Sequence, residues 1–185
     1  MSANSPSTPK PVTQKRLMNI ALYYLGRYET SASRLSAFLS RRVSKDRLKG
    51  AEIPDNVDDL IAEVIAKMCK DGYIDDSRYA ESIFRRMKQA GKSKRAIVEK
   101  LRQAGIGEDV KTALFAAFEE SEGDSELEAA RRLVKKKRLG PFRNPELRKE
   151  FAKKDLGVLA RAGFSFDTAV QALETPDSQE DFYED

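Results

Sequence analysis

The residues with the most chemical capacity in this chain are cations. Arg131, Arg132, Lys135, Lys136, Lys137 and Arg138 put six bases into eight positions, and two smaller groups precede them, Arg85 with Arg86 and Lys92 with Lys94 and Arg95. On a helix, Arg131, Lys135 and Arg138 share one side and Arg132 and Lys136 lie next to it, which makes the polar face almost wholly cationic. A merely solvated face intersperses acids for i,i+4 pairing and avoids such like-charge repulsion. The pattern therefore points to a binding face. It can neutralise phosphates with salt-sensitive, sequence-independent affinity, or complement an acidic protein groove, and the residue types do not choose between these. Few aromatics interleave the bases, so the stacking platform of a dedicated single-strand binder is not evident.

Catalysis has little to stand on. The chain has no histidine, which removes Ser-His and Cys-His nucleophilic systems, His-ligated metals and the commonest acid-base group. No glycine-rich phosphate loop is present. The expectation is a protein that is not an enzyme, with no cofactor, no metal and no small-molecule substrate. Asp75 and Asp76 sit where a helix starts, where the dipole favours negative charge, so capping accounts for them better than a metal site. Arg78 can fold back onto one of them or reach a partner. Cys69 follows Met68 near the end of an apolar helix and reads as a small buried hydrophobe.

The 185 residues carry a formal charge of +4, but 175–185 hold five acids and no base, which leaves the preceding 174 residues at +9. A body that basic favours a polyanion or an acidic protein surface. A single cysteine forms no intramolecular disulfide, and a reducing cytoplasm suits it. No run of about 18 apolar residues exists to span a membrane. The N-terminal MSANSPSTPKPVTQ lacks the apolar core of a secretory signal. Residues 1–12 and 175–185 read as disordered tails, and the chain as a monomer.

The elements that must position the cations are helices. Residues 71–106 contain one helix end and two further helices with tight turns. Gly72 closes the first, Asp75 caps the second, and Ile74 with Tyr79 has the spacing of a hydrophobic staple. Tyr79, Ile83 and Met87 stripe that helix until Gly91. Ser93 caps the next, with Ile97, Val98 and Leu101 inward before Gly105 and Ile106. A third begins near Glu108. Upstream, helices are expected over 14–28, from Ser31 past Leu35, Phe38 and Leu39, and from an Asp55 cap through Met68, with a loop over 44–56. Downstream, Ser125 and Glu128 have capping-box spacing. Asn144 and Pro145 suit the start of a longer helix that bends or breaks at Gly157 and ends at Gly163.

Val98, Leu101, Gly105 and Ile106 recur at identical spacing as Leu156, Leu159, Gly163 and Phe164, each set followed by a short apolar helix. That is an internal repeat. The expected fold is all-α, an elongated, slightly curved array of three-helix units over 13–73, 74–122 and 123–174 between the two tails.

The run Gly72-Tyr73-Ile74-Asp75-Asp76, then Arg78-Tyr79-Ala80, with Leu101, Gly105 and Ile106 downstream, resembles the RecX family of bacterial recombination regulators. Leu159-Ala160-Arg161-Ala162-Gly163-Phe164-Ser165 resembles that family's C-terminal signature, and together the matches span roughly residues 17–174. The resemblance implies tandem three-helix repeats that bind the RecA–DNA nucleoprotein filament and modulate, usually inhibit, its activity in recombination, DNA repair and the SOS response. The 44–56 loop departs most from that pattern. The rival reading is a sequence-nonspecific DNA-binding protein acting without RecA.

Overall fold

In the computed structural model, which describes residues 10–122 and 125–174, the chain is all helical. The helices are α1 Gln14–Leu25, α2 Ala32–Leu48, α3 Val57–Lys70, α4 Asp76–Gln89, α5 Lys94–Gln103, α6 Glu108–Glu122, α7 Glu126–Lys137, α8 Arg148–Ala162 and α9 Phe166–Glu174. Two short 3₁₀ turns, Gly140–Phe142 and Pro145–Leu147, lie between α7 and α8. The order is a tandem of three-helix groups. By compactness the chain divides into two units, residues 1–79 with 104–107 and residues 80–103 with 108–185, and the division falls within α4. Both tails read from the sequence lie outside the described residues, except at 10–12, where Val12 is buried and its N–H donates to the Glu52 carbonyl at 2.9 Å.

In the first unit, Leu17 and Ala21 of α1, Leu35, Leu39 and Val43 of α2, and Val57, Ile61, Val64 and Met68 of α3 form one buried cluster. These are the positions that a 3.6-residue period places on a single face. α1 ends at Leu25 rather than 28, leaving Tyr28 exposed outside it. α2 runs to Leu48, so the expected loop begins five residues late. Val43 occupies the position that is glycine just past the ends of α5 and α8, and so nothing stops the helix there. Asp46 holds the extension, with its carboxylate 2.7 Å from Arg16 and 3.5 Å from Arg42. Asn56, not Asp55, flanks α3, and its side chain makes no capping bond.

The second unit buries Ala130, Leu133 and Val134 of α7, Leu159 and Ala162 of α8, and Ala169 and Ala172 of α9 around Leu139 and Phe164. Ser125 and Glu128 form both bonds of the expected capping box at the start of α7. α8 continues through Gly157 without a break. Asn144 does cap, accepting from the Glu146 N–H at 3.2 Å, but it starts a 3₁₀ turn before the α-helix proper. Buried Asp155 accepts from the Gly140 N–H at 2.9 Å and from Arg143 at 2.7 and 3.2 Å, which fixes the α7–α8 connection. Arg143 also lies 4.4 Å over the Phe151 ring, and its bond to Asp155 raises the guanidinium pKa.

The repeat extends to the hydrogen bonds. Ser31 and Ser93 are fully buried N-caps of α2 and α5, bonding Arg34 N–H and Ala96 N–H. In the first unit the Ser31 hydroxyl donates to the Ala104 carbonyl at 2.6 Å, and Asp76 accepts from Ala32 N–H at 2.9 Å. In the second, Ser93 N–H donates to the Ala162 carbonyl at 3.0 Å, and Glu126 accepts from Lys94 N–H at 3.0 Å. In both, a carbonyl from a later helix end accepts from the capping serine, and a carboxylate from the first residue of a later helix accepts from the first N–H of the capped helix, a donor that a helix leaves unpaired. Gly105 (φ +73°) and Gly163 (φ +98°) sit against these serines. A Cβ at Gly163 would lie 2.5 Å from Ser93 Oγ and 2.7 Å from Ala96 Cβ; at Gly105, 3.1 Å from Ser31 and Ser33 Oγ. Both positive φ and the close approach exclude a side chain.

Candidate functional site

The eleven cations read from the sequence have several different structural settings. Lys92, Arg95 and Lys136 work at helix ends within the second unit. Lys92 Nζ donates to the Arg161 carbonyl at 3.1 Å, Arg95 Nε to the Gly163 carbonyl at 3.2 Å, and Lys136 Nζ to the Gln89 carbonyl at 3.0 Å. Helix C-termini carry unpaired carbonyls and negative partial charge, so each bond has a local structural purpose. Arg85 reaches Glu81 one turn earlier at 3.4 Å, an exposed pair. Lys94 lies 5.1 Å over the Phe115 ring. Arg86, Arg131, Arg132, Lys135, Lys137 and Arg138 are exposed, and Arg131, Lys135 and Lys137 keep the cationic character expected of α7. Arg138 departs from the expectation: it is the C-cap of α7 in the left-handed conformation (φ 50°), not a member of the helix face.

The motif residues around 72–79 are mainly structural. Gly72 closes α3, and the N–H groups of Tyr73 and Ile74 both reach back to the Met68 carbonyl. Asp75 caps its own helix, accepting from Arg78 N–H at 2.9 Å, whereas Asp76 caps α2. The two acids are therefore divided between two helix starts, and no metal-ligating cluster of His, Cys, Asp or Glu occurs among the described residues. Leu101 and Leu159 are fully buried, as are Ile106 and Phe164 nearly so, while Val98, read as inward, is exposed. Cys69 is exposed, which corrects its reading as a buried hydrophobe. Partial burial, then the neighbouring Asp76 charge, push its thiol pKa up. No helix among the described residues is long and apolar enough to cross a membrane.

Two features escaped the sequence reading. A groove of about 540 Å³ in the second unit is floored by Phe84, Phe115 and Phe118 and edged by Lys88, Lys92, Lys94, Arg132 and Lys136. Phe84 stacks on Phe118 at 4.2 Å and meets Phe115 edge-on at 5.5 Å. Separately, the first unit exposes Tyr23, Tyr28 and Tyr73; Arg27 lies 3.7 Å over Tyr23, and Tyr28 and Tyr73 line a hollow of about 270 Å³ with Arg78 and Tyr79. Helical periodicity does not reveal either feature, because which flank of a stripe stays open depends on the neighbouring helices.

The segment 75–113 matches the family description "RecX, second three-helix domain". Over 174 residues the chain is 38% identical to the regulatory protein RecX of Myxococcus xanthus, covering 92% of this chain and 90% of the relative. The chain belongs to the RecX family. The regulatory protein RecX of Mycobacterium avium is 30% identical over 176 residues, covering 93% of this chain and 91% of its own. The crystal structure of RecX from Lactobacillus salivarius superposes with a TM-score of 0.57 at 23% identity, over 86% of this chain and 96% of that one. A further crystal structure of regulatory protein RecX gives 0.54 at 24% identity, over 88% and 72%. These two likenesses establish the RecX fold. The RecX segment matched at 75–113 opens on the capping pair Asp75 and Asp76 and contains the Leu101-x3-Gly105 helix ending.

Proposed function

We propose that this RecX-family regulatory protein binds the RecA recombinase filament on DNA and limits its recombinase and ATPase activity in the cytoplasm, without catalysis of its own. The observation that carries the reading is the cationic end of α7, displayed within a chain whose relatives are named as regulators. Arg131, Arg132, Lys135, Lys137 and Arg138, with Arg85 and Arg86, supply the electrostatic attachment. Lys92, Arg95 and Lys136 contribute charge while holding helix ends. The working repeats are three, over 13–73, 74–122 and 123–174. The test is a variant with Arg131→Ala, Lys135→Ala and Arg138→Asn, the last because asparagine tolerates the left-handed cap. Helicity and melting stay near the parent, and filament affinity falls at least about tenfold, a loss that raised salt mimics. Unchanged affinity in the folded variant defeats the assignment.

Direct DNA contact is favoured by one specific observation, the exposed Tyr23, Tyr28 and Tyr73 beside Arg27 and Arg78. Aromatic faces with arginines suit stacking on unpaired bases. Tyr23→Ala with Tyr73→Ala should then weaken binding to single strands without RecA, and no change removes this reading.

A further inference from the structure

We propose that the chain's own acidic segment 175–185 docks in the phenylalanine-floored groove of the second unit and acts as an internal competitor for its partner. The groove joins two chemistries that few occupants match. Its floor is apolar and aromatic, and five of its edge residues are cations. The acid among its described lining residues, Glu126, accepts from the Lys94 N–H. The segment TPDSQEDFYED carries both complements, Phe182 and Tyr183 for the floor and five carboxylates for the edge. Aromatic side chains are the anchors that such pockets favour, and flanking opposite charge fixes their register.

Two of the edge cations, Lys92 and Lys136, retain donors. Lys92 and Lys136 each give one hydrogen bond to a helix-end carbonyl, and an ammonium has three donors. Geometry also permits the reach. α9 ends at Glu174, and Leu173 packs so closely on Gly140 that a Cβ there would lie 2.8 Å from Leu173 Cδ2. Gly140 follows the groove residue Lys136 by four positions, at most about 15 Å of chain. Phe182 follows Glu174 by eight, roughly 28 Å when extended. That carries it past Lys136 and along α7 toward Ala129, about 10 Å further up the helix.

Docking requires no filament; only its regulatory consequence rests on the reading given above. The groove shares Arg132 and Lys136 with the basic run of α7, so a docked tail screens that surface. The test replaces Phe182 in the full chain with the photocrosslinker benzoylphenylalanine and maps the products by mass spectrometry. The expected crosslinks are intramolecular, independent of protein concentration, and fall on groove residues such as Phe84, Phe118 and Ala129. A second variant, Ala129→Glu, places a like charge at a half-buried position of α7 that lines the groove and should cut their yield at least about fivefold, with helicity retained. Raising salt to about 0.5 M should cut it as well. Crosslinks that map elsewhere, that join two copies in proportion to concentration, or that ignore Ala129→Glu each overturn the proposal. If crosslinks appear as expected while filament affinity is unchanged on neutralising the tail, docking stands and the competitive role fails.

Discussion

Replacing Gly163 with alanine tests the packing rule that repeats through this fold. Two costs combine at that position. A left-handed conformation costs an alanine about 1–2 kcal/mol. The added Cβ would also lie 2.5 Å from Ser93 Oγ and 2.7 Å from Ala96 Cβ, both on the first turn of α5. Relieving such overlap in a packed site costs about 1–3 kcal/mol, and it displaces the hydroxyl that caps Ala96. The combined loss is about 3–4 kcal/mol. Gly72 is the control, because it has φ +76° and nothing within 4 Å of its would-be Cβ. Gly72→Ala should therefore lose only the conformational part, about 1–2 kcal/mol. Gly105→Ala falls between them, since its closest contacts are 3.1 Å. Urea unfolding followed by circular dichroism, read on the transition to which each residue belongs, measures all three. Equal losses at 72 and 163 would show that the serine contact contributes nothing, and would refute the repeat junction as a packing device.

Three further outcomes follow from individual side chains. Asp155→Ala should lower the melting temperature because it removes the acceptor shared by the Gly140 N–H and Arg143, whereas Asp155→Leu with Arg143→Leu should recover part of that loss in thermal melts. Glu99 accepts two bonds from Arg102 and one from Gln103, which lower its carboxyl pKa to about 2. Its contribution to stability is present above the ordinary carboxyl value of 4.5 and is lost as pH falls through about 2. A carbon-detected NMR titration should show that low midpoint, and Arg102→Ala should move it back up. The raised Cys69 pKa makes alkylation slow at neutral pH, with a midpoint above an ordinary thiol's; Asp76→Asn should remove the smaller part of that rise, burial the larger. A midpoint at or below the ordinary thiol value would contradict it.

Much of the architecture was legible because local chemistry and global packing agree in this chain. The caps at Ser31, Asp75, Ser93 and Ser125 are all bonded as the residue types imply, and the Leu-x3-Gly-apolar repeat at 101–106 and 159–164 is equivalent in burial. A longer signal went unread: Ser31, Leu35 and Leu39 repeat the spacing of Ser93, Ile97 and Leu101. By the same register Asp155 falls at the position of Ile97, a core site holding a buried acid, and its contacts with Arg143 and the Gly140 N–H make sense of it. Val43 standing at the glycine position explains why α2 outran its expected end. Cations were harder to interpret, because sequence cannot distinguish a lysine facing solvent from one folded onto a distant carbonyl. Lys92 and Lys136 meet carbonyls 69 and 47 residues away. The groove depended on three phenylalanines from α4 and α6 leaving one flank open beside α7, which no single helix pattern encodes.

The most direct measurement is DNA-dependent ATP hydrolysis by the cognate RecA with this protein titrated in at fixed salt, beside its binding to the same DNA alone. The account predicts loss of hydrolysis at amounts far too small to coat the DNA. Loss only once bare DNA is saturated, or no loss at all, would contradict it.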